Sequence, residues 1–498
     1  MHSFDHLTTK ITATIGPSSI NRVSELLQCG VNVFRLNFSH GNVETQSNAY
    51  NRIREASVGP HTCTTIIQDL QGPKIRCGVF ANARVTLKPG QQFRFTKDLS
   101  PGDESRVGLP HPEIFQAFLE TPDVKHFVLL DDGKVKLDVI SVTEDEIVCK
   151  SELGGVLSDR KGVNLPTVQL GVSAMTEKDK QDLCTGLKLG VDYICLSFVQ
   201  SVDDVIEARE YMNTYRNYLC DNGGTCPIYP PKIISKIEKP QALENIEAII
   251  AESDAIMLAR GDLGVEIPFA QVPVVQKRVV ALLKQAGKPL IIATHCLESM
   301  IENPRPTRGE VGDVAGHIFD GADSVMLSGE SASGAHPLEA VSAMASIIKS
   351  TEQYILKNGL NNVSDLTIEN DTDAVARSAK NMAQSIGAKA IVNFTESGFS
   401  SLRLSRTRPG VPIIATSPHL SVLRCINLGY GILPVKCNGL KSFDEIPKVA
   451  ASIALDAGIG VQRGDKVVVV AGCPFGFSQA NAEDSDVRTT SFVLIATC

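Results

Sequence analysis

Eight short apolar runs, rich in Val and Ile and each ending in polar residues, recur along the first two-thirds of the chain. They cover residues 11–15, 31–37, 64–69, 192–198, 233–238, 255–259, 289–294 and 324–328. Between them lie stretches such as 178–189 and 202–215, with apolar positions at helical spacing. Runs of this length bounded by turn residues predict strands, and the periodic stretches predict helices. Eight alternations favour a (β/α)8 TIM barrel over an open sheet. Such a barrel keeps its site at the C-terminal ends of its strands. The polar residues of this chain gather there: Arg35, Asn37, Asp69, Lys236, Glu238, Asp262, Thr294 and Ser328.

One gap interrupts the rhythm. From about Pro73 to Lys161 the helical pattern gives way to short strand-like pieces and turn signals, including Lys88-Pro-Gly90, Ser100-Pro-Gly102 and Asp131-Asp-Gly133. The expectation is a small β-barrel domain inserted after the third strand. It leaves and re-enters at the catalytic face, so it is expected to act as a lid. After about Thr351 a second α/β series begins, with strand candidates at 390–395, 412–416, 432–435, 466–471 and 492–496. The expected division is barrel 1–72, lid 73–162, barrel 163–350 and C-terminal α/β domain 351–498. A chain of 498 residues has room for roughly three domains.

Composition narrows the function classes. Charged residues make up 21% and hydrophobic ones 43%, as in ordinary soluble globular proteins. A net charge of -8 with no Lys/Arg-rich run argues against a nucleic-acid partner. No apolar stretch reaches 18 residues, so no membrane span is expected, and the start Met1-His-Ser-Phe-Asp5 lacks a signal-peptide pattern. The thirteen cysteines are scattered, odd in number and without a C-x-x-C. Reduced thiols in a cytoplasmic enzyme are the expectation.

The candidate chemistry begins at Ile233-Ile-Ser-Lys-Ile-Glu238. Side chains alternate along a strand, so Lys236 and Glu238 project to one side. Ala259-Arg-Gly-Asp262 follows the next run, and its Gly261-Asp262-Leu-Gly264 turn is placed to open a helix. Together these segments offer two carboxylates for a hard divalent cation, an ammonium beside it and backbone N–H groups for an anion. Phosphoryl transfer, where charge stabilisation is most of the work, uses such equipment. In Phe34-Arg-Leu-Asn-Phe-Ser-His-Gly41, Arg35, Asn37 and Ser39 alternate onto one face. Gln68-Asp-Leu-Gln-Gly-Pro-Lys-Ile-Arg76 adds Asp69, Lys74 and Arg76 around a Gly-Pro turn. Each alone reads as a solvated strand end or surface turn, but four cations converging from separate strands call for an anion.

The segments Arg35–Gly41, Ile234–Glu238, Ala259–Gly264, Glu302-Asn-Pro-Arg-Pro-Thr-Arg308 and Val325-Met-Leu-Ser-Gly-Glu330 resemble the defining motifs of pyruvate kinase. They stand in family order over essentially the whole chain. The resemblance implies a barrel, an inserted β lid and a C-terminal regulatory domain, assembled as a homotetramer. It implies phosphoryl transfer from phosphoenolpyruvate to ADP, giving ATP and pyruvate. By the same resemblance Glu238 and Asp262 hold Mg2+, with Mn2+ as an alternative. Arg35, Arg76 and Lys236 surround the phosphoryl group, and the substrate carboxylate rests near Gly261-Asp262. Thr294 and Ser328 line the pocket where the enolate is protonated through water. Asn37, His40, Arg76 and Lys161 approach the nucleotide, with Asp132 also on the lid side.

Three departures from the family pattern carry expectations of their own. Asp69-Leu-Gln-Gly-Pro-Lys74 stands where most members have Asp-Thr-Lys-Gly-Pro-Glu. The family K+ site corresponds to Asn37, Ser39, Asp69 and Leu70. The Leu70, Gln71 and Lys74 combination accompanies members that need no K+, so K+ is expected to be dispensable. His295-Cys296 replaces Gln-Met after Thr294, read as repacking of a helix start, with tuning of the protonation water as the other reading. In the C-terminal domain Thr395, Ser397, Gly398 and Ser400 resemble a loop that binds an effector phosphate. The second effector loop is replaced by Gly472-Cys-Pro-Phe-Gly-Phe-Ser-Gln479, and the chain has no Trp. That favours a monophosphate or nucleotide effector, or none. Two other functions compete: a Mg2+-dependent enolate lyase, which would lack the lid and the cation cluster, and a catalytically silent metabolite sensor.

Overall fold

The structure is a computed structural model, and it describes residues 7–59, 62–168, 170–171, 173–223, 229–360, 366–438, 442–472 and 490–498. Eight parallel strands close into a barrel: β1 (Lys10–Thr14), β2 (Val31–Asn37), β3 (Thr65–Asp69), β4 (Tyr193–Leu196), β5 (Lys232–Ile237), β6 (Ala255–Ala259), β7 (Leu290–Ala293) and β8 (Ser324–Leu327). Each lies within or against one of the eight apolar runs. Parallel barrel strands are covered on both faces, which is why they read as near-continuous hydrophobic stretches. Val33, Ile67, Ile234, Met257, Ile291 and Met326 fill the barrel interior. The outer core packs the other face of the strands against the surrounding helices.

The N-terminal end of the barrel is stoppered by the C-terminal domain. Cys425 and Leu428 join the interior cluster, Tyr193 Oη donates to the Cys425 carbonyl at 2.9 Å, and Thr65 Oγ1 donates to that of Arg424 at 2.6 Å. Lys10, fully buried, donates from Nζ to the Ile432 carbonyl at 2.6 Å. The open, C-terminal end therefore faces away from this domain. The domain itself has a five-stranded sheet in the order Ile432–Lys436, Ile413–Ser417, Ala390–Phe394, Lys466–Gly472, Thr490–Thr497, with only the last pair antiparallel.

The chain leaves the barrel after β3 and returns before β4, as the interrupted rhythm predicts. Strands of the insert form a six-stranded and a two-stranded sheet over their own core, which includes Phe93, Phe95, Phe115 and Phe118. The insert also carries a helix, Pro112–Leu119, that the strand-and-turn reading passed over. Proline at its first position suits a helix start, and Ile114, Phe115 and Phe118 face inward. Ten described cysteines are free. Cys220 is disulfide-bonded, which corrects the expectation of reduced thiols throughout; scattered cysteines give no local signal of pairing. Among the described residues no helix is long and apolar enough to cross a membrane.

Candidate active site

A belt of polar contacts runs from strand to strand around the open mouth. Thr14, ending β1, donates to the Leu327 carbonyl of β8 at 2.9 Å and accepts from Arg35 Nη1 of β2 at 3.1 Å. Arg35 Nε and Nη2 each lie 2.6 Å from Asp69 Oδ2, at the end of β3. Ser197, just past β4, donates to the Leu70 carbonyl at 2.7 Å and accepts from Lys236 Nζ of β5 at 2.9 Å. Lys236 Nζ stands 3.3 Å from Glu238 Oε2 and 3.9 Å from Asp69 Oδ1. The Phe198 N–H donates to Glu238 Oε1 at 2.6 Å. The period-2 reading of Lys236 and Glu238 thus matches the observed contact.

Electrostatics follow from this packing. Burial alone would push the Asp69 carboxyl up, but Lys236 and Arg35 outweigh it and hold the pKa below the ordinary value. Burial likewise opposes the charge on Lys236, yet Asp69, Glu238 and Asp262 raise it above the usual lysine range. Glu238 is the strained member: burial, opposed by Lys236 and reinforced by Asp262, pushes its carboxyl up to about 7. Two hard oxygen donors that repel each other in a buried mouth match what a divalent cation such as Mg2+ requires. The residues fit that group.

Beyond Glu238 the belt continues on β6, β7 and β8. The helix Arg260–Glu266 opens directly from β6, as the Gly-Asp-Leu-Gly turn predicts. Thr294 Oγ1 accepts the Gly261 N–H at 2.6 Å and donates to the Ala293 carbonyl at 2.7 Å. A side chain on Gly261 would lie 3.0 Å from both Thr294 Oγ1 and His295 Cε1, so glycine lets the turn approach the helix start closely. Buried Glu330 accepts the N–H groups of Ser328 at 2.7 Å and Leu297 at 3.1 Å, tying the ends of β8 and β7 together.

Other expected residues lie on the rim. Arg76 is exposed and donates to the Arg160 carbonyl at 3.1 Å at the foot of the lid, rather than to Asp69. Lys161 pairs with Asp131 at 2.7 Å on the lid. Lys74, Asp132 and Asp262 line one cleft between lid and barrel, with Phe198, Gln200 and Lys239. Lys74 therefore faces that cleft, while Arg35 and Lys236 supply the cationic partners of Asp69. Asn37 Oδ1 accepts the N–H of Ser39 at 3.1 Å, and Ser39 and His40 are exposed. Asn37 pairs in register with Asp69.

No helix starts at His295: Thr294 and His295 form a turn, His295 is exposed 3.6 Å from Glu298, and Cys296 is buried. Burial pushes the Cys296 thiol up to about 12, so it packs as a small hydrophobe. In the C-terminal domain Thr395 Oγ1 accepts the Gly398 N–H at 3.0 Å and lies 3.2 Å from Ser400 Oγ. These loop residues do meet in one turn, beside Glu396, which lies 2.7 Å from His419 Nε2. The replaced second loop, 472–479, falls outside the described residues except for Gly472. Thr14, Ser197, Arg260 and Glu330 were not singled out from the sequence. Ser197 carried a usable signal, a polar residue closing the fourth run like the others.

Known proteins agree with this architecture. The family description "Pyruvate kinase, barrel domain" matches residues 6–341, and "Pyruvate kinase, alpha/beta domain" matches residues 373–482. A pyruvate kinase of Agrobacterium vitis is 41% identical over 471 residues, 94% of either chain. One of Clostridium perfringens is 39% identical over 94% of this chain and 96% of its own. Among solved structures, a pyruvate kinase from Cryptosporidium parvum superposes with a TM-score of 0.88 at 33% identity, covering 99% of this chain and 96% of that one. Barrel, lid, polar mouth and near-full-length similarity converge, and the chain belongs to the pyruvate kinase family.

Proposed function

We propose that the mouth of the barrel transfers the phosphoryl group of phosphoenolpyruvate to ADP and protonates the enolate left behind, giving ATP and pyruvate. The observation that carries this reading is the continuous buried network Arg35–Asp69–Ser197–Lys236–Glu238, open on one side toward Asp262. Phosphoryl transfer asks the protein for positioning and fixed charge rather than covalent chemistry. Arg35 and Lys236 are cations held rigid by Asp69, so they face a phosphoryl group without reorganising. Such preorganised charge is commonly worth on the order of 100-fold or more in turnover. Glu238 and Asp262 would hold Mg2+, with Mn2+ as the alternative; when bound it neutralises charge on the phosphoryl and enolate oxygens. Thr294, fixed between Gly261 and Ala293, and Ser328 line the side where carbon receives its proton, relayed by water because neither hydroxyl is acidic alone. The substrate carboxylate rests by Gly261 and Asp262. The nucleotide enters under the lid past Asn37, His40, Arg76 and Lys161.

K+ is dispensable in this reading. Asp69 has two cationic partners already, and Lys74 adds a further charge to the cleft wall. The deciding assay couples pyruvate formation from phosphoenolpyruvate and ADP to lactate dehydrogenase, with Mg2+ and in buffer free of K+ and NH4+. Pyruvate formation is expected. Its absence with or without K+ would overturn the reaction, and a tenfold stimulation by K+ would overturn the dispensability alone.

A further inference from the structure

Thr294 and His295 both adopt left-handed backbone, at φ +67° and +55°. That region is uncommon for non-glycine residues and an outlier for a β-branched one. Such conformations persist where the surroundings impose them, and they gather at functional turns. Arg260 is the group that imposes this one. Its Nη2 donates to the carbonyls of Thr294 at 3.0 Å and His295 at 3.3 Å. Its Nη1 lies 3.0 and 2.8 Å from the two carboxylate oxygens of Asp313. A planar guanidinium held at one edge has its other edge fixed in direction. The turn so held keeps Thr294 Oγ1 on the Gly261 N–H.

Asp313 sits on the helix Arg308–Asp320, 53 residues along the chain from Arg260. One turn further along, buried His317 brings Nε2 to 3.3 Å from Asp313 Oδ2. Burial alone would raise the Asp313 carboxyl, but His317 and Arg260 bring it down to about 2. The carboxylate is thus an ion at any working pH, and a permanent anchor for Arg260.

We propose that Asp313 is a positioning residue for the Thr294 hydroxyl, acting through Arg260 from a helix that does not touch the substrate. The inference rests on the phosphotransfer reading above. Loosening the clamp should slow the chemistry while leaving phosphoenolpyruvate binding in place, which appears as lost kcat at steady KM.

The experiment is a cycle of four full-length proteins in the coupled assay: wild type, Asp313→Ala, Arg260→Met and the double variant. Asp313→Ala is expected to lower kcat about tenfold or more with KM for phosphoenolpyruvate within about twofold. If the carboxylate acts only through Arg260, the double variant is no slower than Arg260→Met within about twofold. Asp313→Asn keeps one acceptor oxygen and is expected to recover part of the turnover. The proposal falls if Asp313→Ala keeps wild-type kcat, if the two losses multiply, or if Asp313→Asn is as slow as Asp313→Ala. A wild type inactive toward phosphoenolpyruvate and ADP would instead bring down the reaction reading.

Discussion

Replacing Gly72 by alanine tests whether the backbone behind Lys236 and Glu238 is as tightly set as the contacts imply. Gly72 has φ +69°, and an added Cβ would lie 2.7 Å from Phe198 Cδ2, 3.0 Å from Ser197 Cβ and 3.1 Å from the Ser197 carbonyl. Ordinary contact begins near 3.4 Å, so the Phe198 ring must retreat by about 0.7 Å and Ser197 by about 0.3–0.4 Å. The left-handed conformation costs an alanine about 1–2 kcal/mol, and overpacking adds about 1–3 kcal/mol. A destabilisation of roughly 2–5 kcal/mol is therefore expected. The functional effect is separable from it, because Ser197 Oγ accepts from Lys236 and the Phe198 N–H holds Glu238. A misplacement of about 1 Å costs about 100-fold in rate, so a shift of about 0.3–0.4 Å at Ser197 should lower kcat/KM by about three- to tenfold, with a weaker response to Mg2+. The lactate dehydrogenase-coupled assay over a Mg2+ titration, with a urea denaturation curve on the same sample, measures both. Wild-type kcat/KM together with wild-type urea resistance would show that Ser197 and Phe198 are not held as argued.

Asp69→Asn keeps the side-chain shape but removes the charge shared by Arg35 and Lys236, two nearly buried cations. Loss of one partner from a buried pair costs about 3–5 kcal/mol; a urea midpoint shift equivalent to less than about 1 kcal/mol would refute it. Lys10 gives a pH dependence. Burial, opposed by Glu352, lowers its folded pKa from the ordinary 10.5 to about 8. Below pH 8 both states hold the proton and the folded state bears the full penalty. Between pH 8 and 10.5 only the unfolded state holds it, so stability rises across that window by about 3 kcal/mol. Urea titrations of the wild type and Lys10→Met at several pH values should show this slope only in the wild type, and equal slopes would count against it. Gly186→Ala would put a methyl 1.9 Å from Gln68 Oε1, between the helix Glu177–Leu189 and β3. It is expected to cost about 1–3 kcal/mol in the same urea assay, and an unchanged midpoint would mean Gln68 can move aside.

The sequence made the barrel legible because parallel strands are buried on both sides and so stand out as apolar runs that end abruptly in polar residues. The same ends gave the site: Arg35, Asp69, Lys236 and Glu238 meet where the strand count puts them. What it left hidden depends on tertiary contact. Arg76 stands at the foot of the lid because its backbone bridges to Gly162, which no local pattern announces. Arg260 sits inside a motif that draws attention to its neighbours Gly261 and Asp262, while its own partner Asp313 is 53 residues on. His295-Cys296 reads as a helix start in the sequence, and nothing in the residue types of Thr294 and His295 signals the positive φ found there. The lid helix was missed because one short amphipathic turn among strand signals is weak evidence on its own.

The inserted segment possesses its own hydrophobic interior and is tethered to the barrel through its entry and exit segments, where the Cys77 N–H donates to the Lys161 carbonyl at 3.0 Å and the Val163 N–H to that of Ile75 at 3.0 Å. It is a cassette on a two-ply stalk. Its interior takes in Val163, Leu165, Val168 and Leu170 from the returning segment, so the natural seam between the two bodies lies past Leu170 rather than at residue 162. A graft that stops short of that seam would strip the cassette of part of its own filling and cut the Asn164 contact to Glu266 at 2.8 Å.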